Sequence, residues 1–303
     1  CAQLERRTSL KLAASQNVSR LSESVVTLRF SHRFSSESLL GQFATAIRNG
    51  NADAAVQLLR DADPNQLIWL DSADEEQTLD AVVTRAATGY QSYLEALRAT
   101  PDGSREAIQK LNSQRVLCAH RDGRFGESSL NRRIAERLAA DGWLNPGSGR
   151  SHYPGRPIMV SRNDYRLNIF NGDVGIVVRD RRRQQPAVLF EDPTEETGLR
   201  RLPSALVADA RDCFAMTIHK SQGSEFHQVL LVLPHADSPV LSRELLYTAV
   251  TRVKDEHDAA TQTTQPGVLC LSATEAVLRA SIERRIRRAG GIREAIDGIA
   301  SDR

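Results

Sequence analysis

Lysine is nearly missing from this sequence. Only Lys11, Lys110, Lys220 and Lys254 are lysines among 40 basic residues, and the rest are arginines. Arginine suits bidentate phosphate contacts, but a GC-rich genome gives the same bias, so the imbalance assigns no ligand. Net charge is equally quiet: +2 over 303 residues is too little to mark a nucleic-acid binder. Cysteine is scarce. Cys1, Cys118, Cys213 and Cys270 stand far apart with no C-x-x-C pair, so the pattern favours reduced, buried thiols over disulfides or a zinc site. The seven histidines never take the H-E-x-x-H spacing, and metal chemistry is not expected. No apolar run approaches the roughly 18 residues of a membrane span, and no signal peptide opens the chain. Together these absences predict a cytoplasmic protein with no membrane partner.

A phosphate loop is missing too. The pattern G-x-x-x-x-G-K-[ST] needs a lysine where Gly147-Ser-Gly-Arg-Ser151 has Arg150, and its first glycine would fall at Leu144. Leu67-Ile-Trp-Leu-Asp71 has the shape of a strand ending in a magnesium-binding acid. Without a phosphate loop upstream it is read as an ordinary short strand.

What is present is the patterning of an α/β protein. Apolar runs at Val116–Ala119, Cys213–Met216, Val229–Leu233 and Gly267–Leu271 read as strands of a parallel sheet buried on both faces. Leu39, Leu40, Phe43, Ala44 and Ile47 share one helical face, with Ser35 or Ser36 as N-cap and Asn49-Gly50 as the stop. Residues 51–112 read as mostly helical, broken at Asp61–Pro64. Leu130, Ile134 and Leu138 stripe another helix that Gly142 ends. Leu278, Ile282 and Ile286 predict a last helix running to Gly290-Gly291. Between these, Asn145–Pro157 is turn-rich and marks a boundary. The short strands that follow, with Asn171-Gly172 as a hairpin turn, have the spacing of a small barrel. Arg179–Arg183 form a basic run at its tip, either solvated or touching a polyanion.

The chemistry gathers between Cys213 and Lys254. Thr217-Ile-His-Lys-Ser-Gln-Gly-Ser-Glu-Phe226 follows a strand, where α/β folds place ligand loops. Its small and hydroxyl residues, with Gly223, let backbone and side chains approach a phosphate closely. The competing reading is a polar loop with an internally satisfied His219. Leu246, Ala249 and Val250 share a helical face from which Arg252 departs, free to reach outward; the alternative is a surface arginine paired with Glu244 or Glu256.

Thr217–Phe226 resembles motif V of superfamily 1 helicases, and Leu246-Tyr-Thr-Ala-Val-Thr-Arg252 resembles their motif VI. Gly155–Tyr165 and Phe170–Gly175 resemble the SH3-like insert of the RecD type, and Arg29–Phe34 with the helix after it resembles motif IV. The resemblance implies a RecA-like lobe in two parts, 1–150 and 210–303, with an SH3-like β-barrel inserted at 151–209. It further implies that Thr217, His219, Lys220 and Ser221 bind single-stranded DNA. Gln222, Gly223, Glu225 and Arg252 would serve the nucleotide, with Arg33 and Arg252 catalytic. ATP and Mg²⁺ would be cofactors, RecB and RecC partners, and 5′ to 3′ translocation in double-strand-break repair the task. Cys1 in place of Met reads as the mark of a fragment, whose first motor lobe with motifs I to III would precede it. A stand-alone or relaxase-associated helicase and a non-catalytic DNA-binding scaffold remain open alternatives.

Overall fold

In the computed structural model, residues 35–147, 152–180, 185–207, 209–258 and 263–286 are described. Two helices come first, α1 (Leu39–Asn49) and α2 (Ala52–Asp61), followed by β1 (Leu67–Leu70). Ser38 rather than Ser35 or Ser36 caps α1, its Oγ accepting from the Gly41 amide at 3.1 Å. Ser35 instead offers its carbonyl to Ser38, closing the turn before the helix. Gly50 ends α1 at φ +73°, the left-handed conformation that glycine takes at little cost.

Next come α3 (Glu75–Ala99), α4 (Arg105–Ser113), β2 (Gln114–Cys118) and α5 (Glu127–Ala140). The chain then leaves the lobe for β3 (Pro157–Val160), β4 (Val174–Asp180), β5 (Gln185–Glu191), β6 (Leu199–Pro203) and β7 (Ala210–Asp212). It returns through β8 (Ala215–Thr217), β9 (Gln228–Val232), α6 (Arg243–Val250), the pair β10 (Glu256–Asp258) and β11 (Thr263–Gln265), β12 (Val268–Ser272) and α7 (Glu275–Glu283).

The main sheet runs β1-β12-β9-β2-β8 with every neighbour parallel. Its strands alternate between two cores, as a two-residue period dictates. Leu117, Val229, Leu231, Leu269 and Leu271 face α1, α2, α6 and α7. Val116, Cys118, Leu230, Val232 and Cys270 face α3, α4 and α5. A parallel sheet covered by helices on both sides is the three-layer α/β order, and Leu67–Leu70 is a plain edge strand of it. Burial pushes the Cys270 thiol up to about 11 and raises Cys118 and Cys213 as well. All three are free thiols.

The excursion from Pro157 to Asp212 is a second sheet, antiparallel, in the order β6-β5-β4-β3-β7. Among the described residues no ladder joins its edges β6 and β7. One face makes its own core with Ile158, Val160, Val177, Val188 and Phe190. The other, with Ile176, Val178, Ala187 and Leu189, joins the core under α3 and α4.

Two expectations are corrected here, the hairpin at Asn171-Gly172 and the reach of the last helix. Asn171-Gly172 form the middle of a turn closed by Asp173 N on Phe170 O at 3.0 Å, but β3 and β4 are joined by the whole loop 161–173, not by a two-residue hairpin. The polar stretch after Asp255 pairs as β10 and β11. The last helix stops at Glu283 because Arg284 turns away to serve the 237–241 loop: its guanidinium donates to Asp237 and to the carbonyls of Ser238 and Leu241. Ile286 is therefore exposed rather than packed. No helix among the described residues is long and apolar enough to cross a membrane.

Candidate functional site

The loop after β8 is wound into successive tight turns at the carboxyl end of the main sheet. Lys220 N donates to Thr217 O at 3.0 Å, Gln222 N to His219 O at 3.3 Å and Ser224 N to Ser221 O at 3.0 Å. Ser221 is fully buried, and its Oγ donates to Ile218 O at 2.7 Å, so its part is to fix the turn and not to face a ligand. Thr217 is buried at the end of β8. The loop exposes His219, Lys220, Gln222, Gly223 and Glu225. Gly223 has φ +92° with open space where a Cβ would stand, so backbone conformation demands glycine there, not crowding.

Helix α5 holds this loop from below. Asn131 clamps β8 through both ends of its amide, Nδ2 donating to Ala215 O at 2.8 Å and Oδ1 accepting from Ala215 N at 3.0 Å. One turn earlier, the buried carboxylate of Glu127 takes the Lys220 ammonium at 2.6 and 2.9 Å. Lys220 is thus tied inward, with its side chain one-third exposed. Glu127 was not legible as a site residue: an acid in a helix's first turn ordinarily complements the helix dipole from the surface.

Arg252 differs most from expectation. Helix α6 ends at Val250, so Arg252 lies in the turn beyond it and is 8% exposed instead of free to reach outward. Its Nε donates to Thr248 O at 3.1 Å and its Nη1 to Ser224 O at 3.2 Å. The backbone is joined as well: Phe226 N donates to Arg252 O at 2.8 Å, and Lys254 N to Phe226 O at 2.9 Å. A parallel bridge pairs Phe226 with Val253. The loop and the end of α6 are therefore one hydrogen-bonded unit. Arg33 lies outside the described residues, as do 181–183 of the basic run. No group of three or more His, Cys, Asp or Glu among the described residues could hold a metal ion.

This unit coincides with a family match: residues 212–256 fit the UvrD-like helicase C-terminal domain. Over 279 residues the chain is 38% identical to the RecBCD enzyme subunit RecD of Mycolicibacterium smegmatis, which covers 91% of this chain and 44% of that protein. The Haemophilus influenzae subunit of the same name is 31% identical over 312 residues, 98% of this chain and 45% of its own. A solved Pif1 helicase from Candida albicans aligns over 74% of this chain and 58% of its own at 12% identity, and its TM-score of 0.35 is too low to bear on the fold. Loop, helix and sequence together define the C-terminal part of a superfamily 1 helicase. Within that class the chain belongs to the RecD type, and it spans less than half the length of the two RecD subunits it matches.

Proposed function

We propose that the chain is the second motor lobe of an ATP-dependent helicase that moves 5′ to 3′ on single-stranded DNA in double-strand-break repair, with RecB and RecC as partner subunits. The lobe comprises 1–150 and 210–303, and 151–209 is an SH3-like insert. The observation that carries this reading is the hydrogen-bonded union of the Thr217–Phe226 loop with Arg252. A translocating motor must report DNA contact to the nucleotide and back, and here one guanidinium belongs to both structures.

In this mechanism His219 and the exposed turn about Gly223 meet DNA phosphates, which fixes position without reading sequence. Thr217, Ser221 and Lys220 shape that turn. Gln222 and Glu225 link that turn to the nucleotide cleft. ATP would be bound with Mg²⁺ mainly by an upstream lobe outside these 303 residues, and Arg252, with Arg33 as the second catalytic arginine, would stabilise charge on its transferring phosphoryl group. To reach a γ-phosphate, Arg252 must release Ser224 O, so nucleotide engagement loosens the DNA loop. Arginine fingers of this kind contribute roughly 10³–10⁵ in rate.

The test is DNA-stimulated ATP hydrolysis by the intact protein, wild type against Arg252→Ala. The variant is expected to lose at least about a thousandfold in rate while still binding DNA; Arg252→Lys should not rescue it, because an ammonium lacks the planar fork. Wild type that never hydrolyses ATP with DNA present would make the chain part of a DNA-binding scaffold. Equal activity in both would remove Arg252 from the mechanism.

A further inference from the structure

The loop between β3 and β4 is rigidly built, yet it presents aromatic surface to solvent. Asp164 and Ile169 exchange backbone hydrogen bonds at 2.8 and 3.1 Å. Asp164 Oδ1 accepts from the amides of Arg166 and Leu167 at 2.9 and 3.2 Å. Asn163 Oδ1 accepts from Asn171 N at 2.8 Å, Asp173 Oδ2 from Phe170 N at 2.8 Å, and Arg200 reaches across to Leu167 O at 3.1 Å. Ile169 is buried beneath as the anchor. On this frame Tyr165 is 78% exposed and Phe170 40%. Their rings meet edge to face, 6.0 Å apart at 76°.

A single exposed aromatic is ordinary. Two in contact on a fixed loop, with an arginine on each side of Tyr165, are not accounted for by folding. The side chains of Arg162 and Arg166 are 81% and 93% exposed, and their nearest acids lie at 3.7 and 3.8 Å, distances at which surface ion pairs hold them weakly. An exposed ring flanked by exposed guanidiniums suits unpaired bases: stacking takes any base, and the cations take the adjoining phosphates.

The position agrees. Phe170 lines a crevice of about 910 Å³ together with Ser224 and Glu225 from the end of the ligand loop. Six carboxylates line that crevice against the cations Arg115, Arg200 and Lys254, an acid excess that disfavours phosphates inside it and favours a strand whose bases, not its backbone, turn toward Phe170. We propose that Tyr165 and Phe170 form a base-stacking site for single-stranded nucleic acid, continuing the track of a strand held at the Thr217–Phe226 loop. This rests on the single-strand reading above.

The test uses the intact protein and an oligodeoxythymidylate carrying one 2-aminopurine, moved along the strand in a series. Wild type should quench the probe at a defined position. Tyr165→Ala should abolish that quench and weaken binding about tenfold, the order of one base stack, while Tyr165→Trp keeps both. Because a ring carries no charge, Tyr165→Ala should leave the salt dependence of binding unaltered, whereas Arg166→Ala should lower its slope by about one. Tyr165 is exposed, so unchanged thermal melting will show that the fold is intact. If wild type binds and Tyr165→Ala matches it in affinity and quench, the stacking site is overturned and the motor reading is untouched. The same result with loss of a partner subunit makes the pair a protein-docking surface, which also overturns it. Wild type that binds no single strand overturns both readings together.

Discussion

Lys220 carries a charge that motif reasoning assigns to DNA, and the fold spends it on Glu127. The carboxylate is nearly buried and receives two hydrogen bonds from one ammonium. Stranding a buried charge costs about 3–5 kcal/mol, and the low end applies because Lys220 is one-third exposed. Lys220→Ala is therefore expected to lower unfolding free energy by about 3 kcal/mol in urea titrations. Lys220→Met combined with Glu127→Gln should recover most of that loss, since no lone charge is left behind. If Lys220→Ala were neutral in stability but crippled DNA binding, the direct contact would be the right account. The helical wheel also misplaced Arg252. Its reasoning assumed that α6 continues past Val250, and the turn at Thr251 rotates the guanidinium back onto Ser224. Side-chain direction at a helix end depends on cap geometry, which residue spacing does not carry.

At the scale of elements, the turn joining β5 and β6 is held by one carboxylate. Asp192 accepts from Thr194 Oγ1 at 2.7 Å and Thr194 N at 2.9 Å, and it pairs with Arg200. These hydrogen bonds, the Thr194 hydroxyl first, hold its carboxyl below the ordinary value of 3.8. The unfolded chain thus binds the proton more readily than the folded one, so the contribution is complete at pH above that ordinary value and drains away as pH falls through the folded one. Urea midpoints of wild type should decline below about pH 4, and Asp192→Asn should flatten that part of the profile while lowering the plateau at neutral pH. Strands β2, β8, β9 and β12 of the main sheet were legible because both their faces are buried and leave continuous apolar runs. Helices α1 and α5 were legible from their stripes and closing glycines. Strand β7 was not: Ala210-Arg-Asp212 has a single small apolar residue, Ala210, and is a strand because β3 offers it an edge. The same holds for β10 and β11, which are polar throughout.

For the molecule as a whole, the question is how firmly the inserted sheet is fastened. Both crossings are tied to α3. Tyr93 donates to Gly155 O at 2.8 Å where the chain leaves, and Tyr90 to Phe214 O where it returns. Burial pushes the Tyr90 hydroxyl up to about 12, so it stays a donor throughout the working range. Arg115 grips Cys213 O at 2.6 Å, and Arg156 pairs with Asp212. The insert therefore moves with the lobe and not as a hinged arm. Tyr93→Phe and Tyr90→Phe are each expected to cost about 1 kcal/mol, and hydrogen exchange should show the loss at the Tyr153, Gly155 and Arg156 amides and at those of 212–215, not across α3.

The two crossings lie side by side, with Cys213 N donating to Pro157 O at 3.0 Å, and this shapes the order in which the chain folds. Cys118 and Met216 meet in adjacent strands although 98 positions separate them. A search over that length is slow, because distant pairing pays its closure entropy before any contact rewards it. An insert built of local hairpins can form first and bring the far ends together, acting as a splint that shortens the path from β2 to β8. Val188→Ala, in the insert's own core, should then slow refolding of the entire lobe in stopped-flow traces, rather than merely speeding its unfolding.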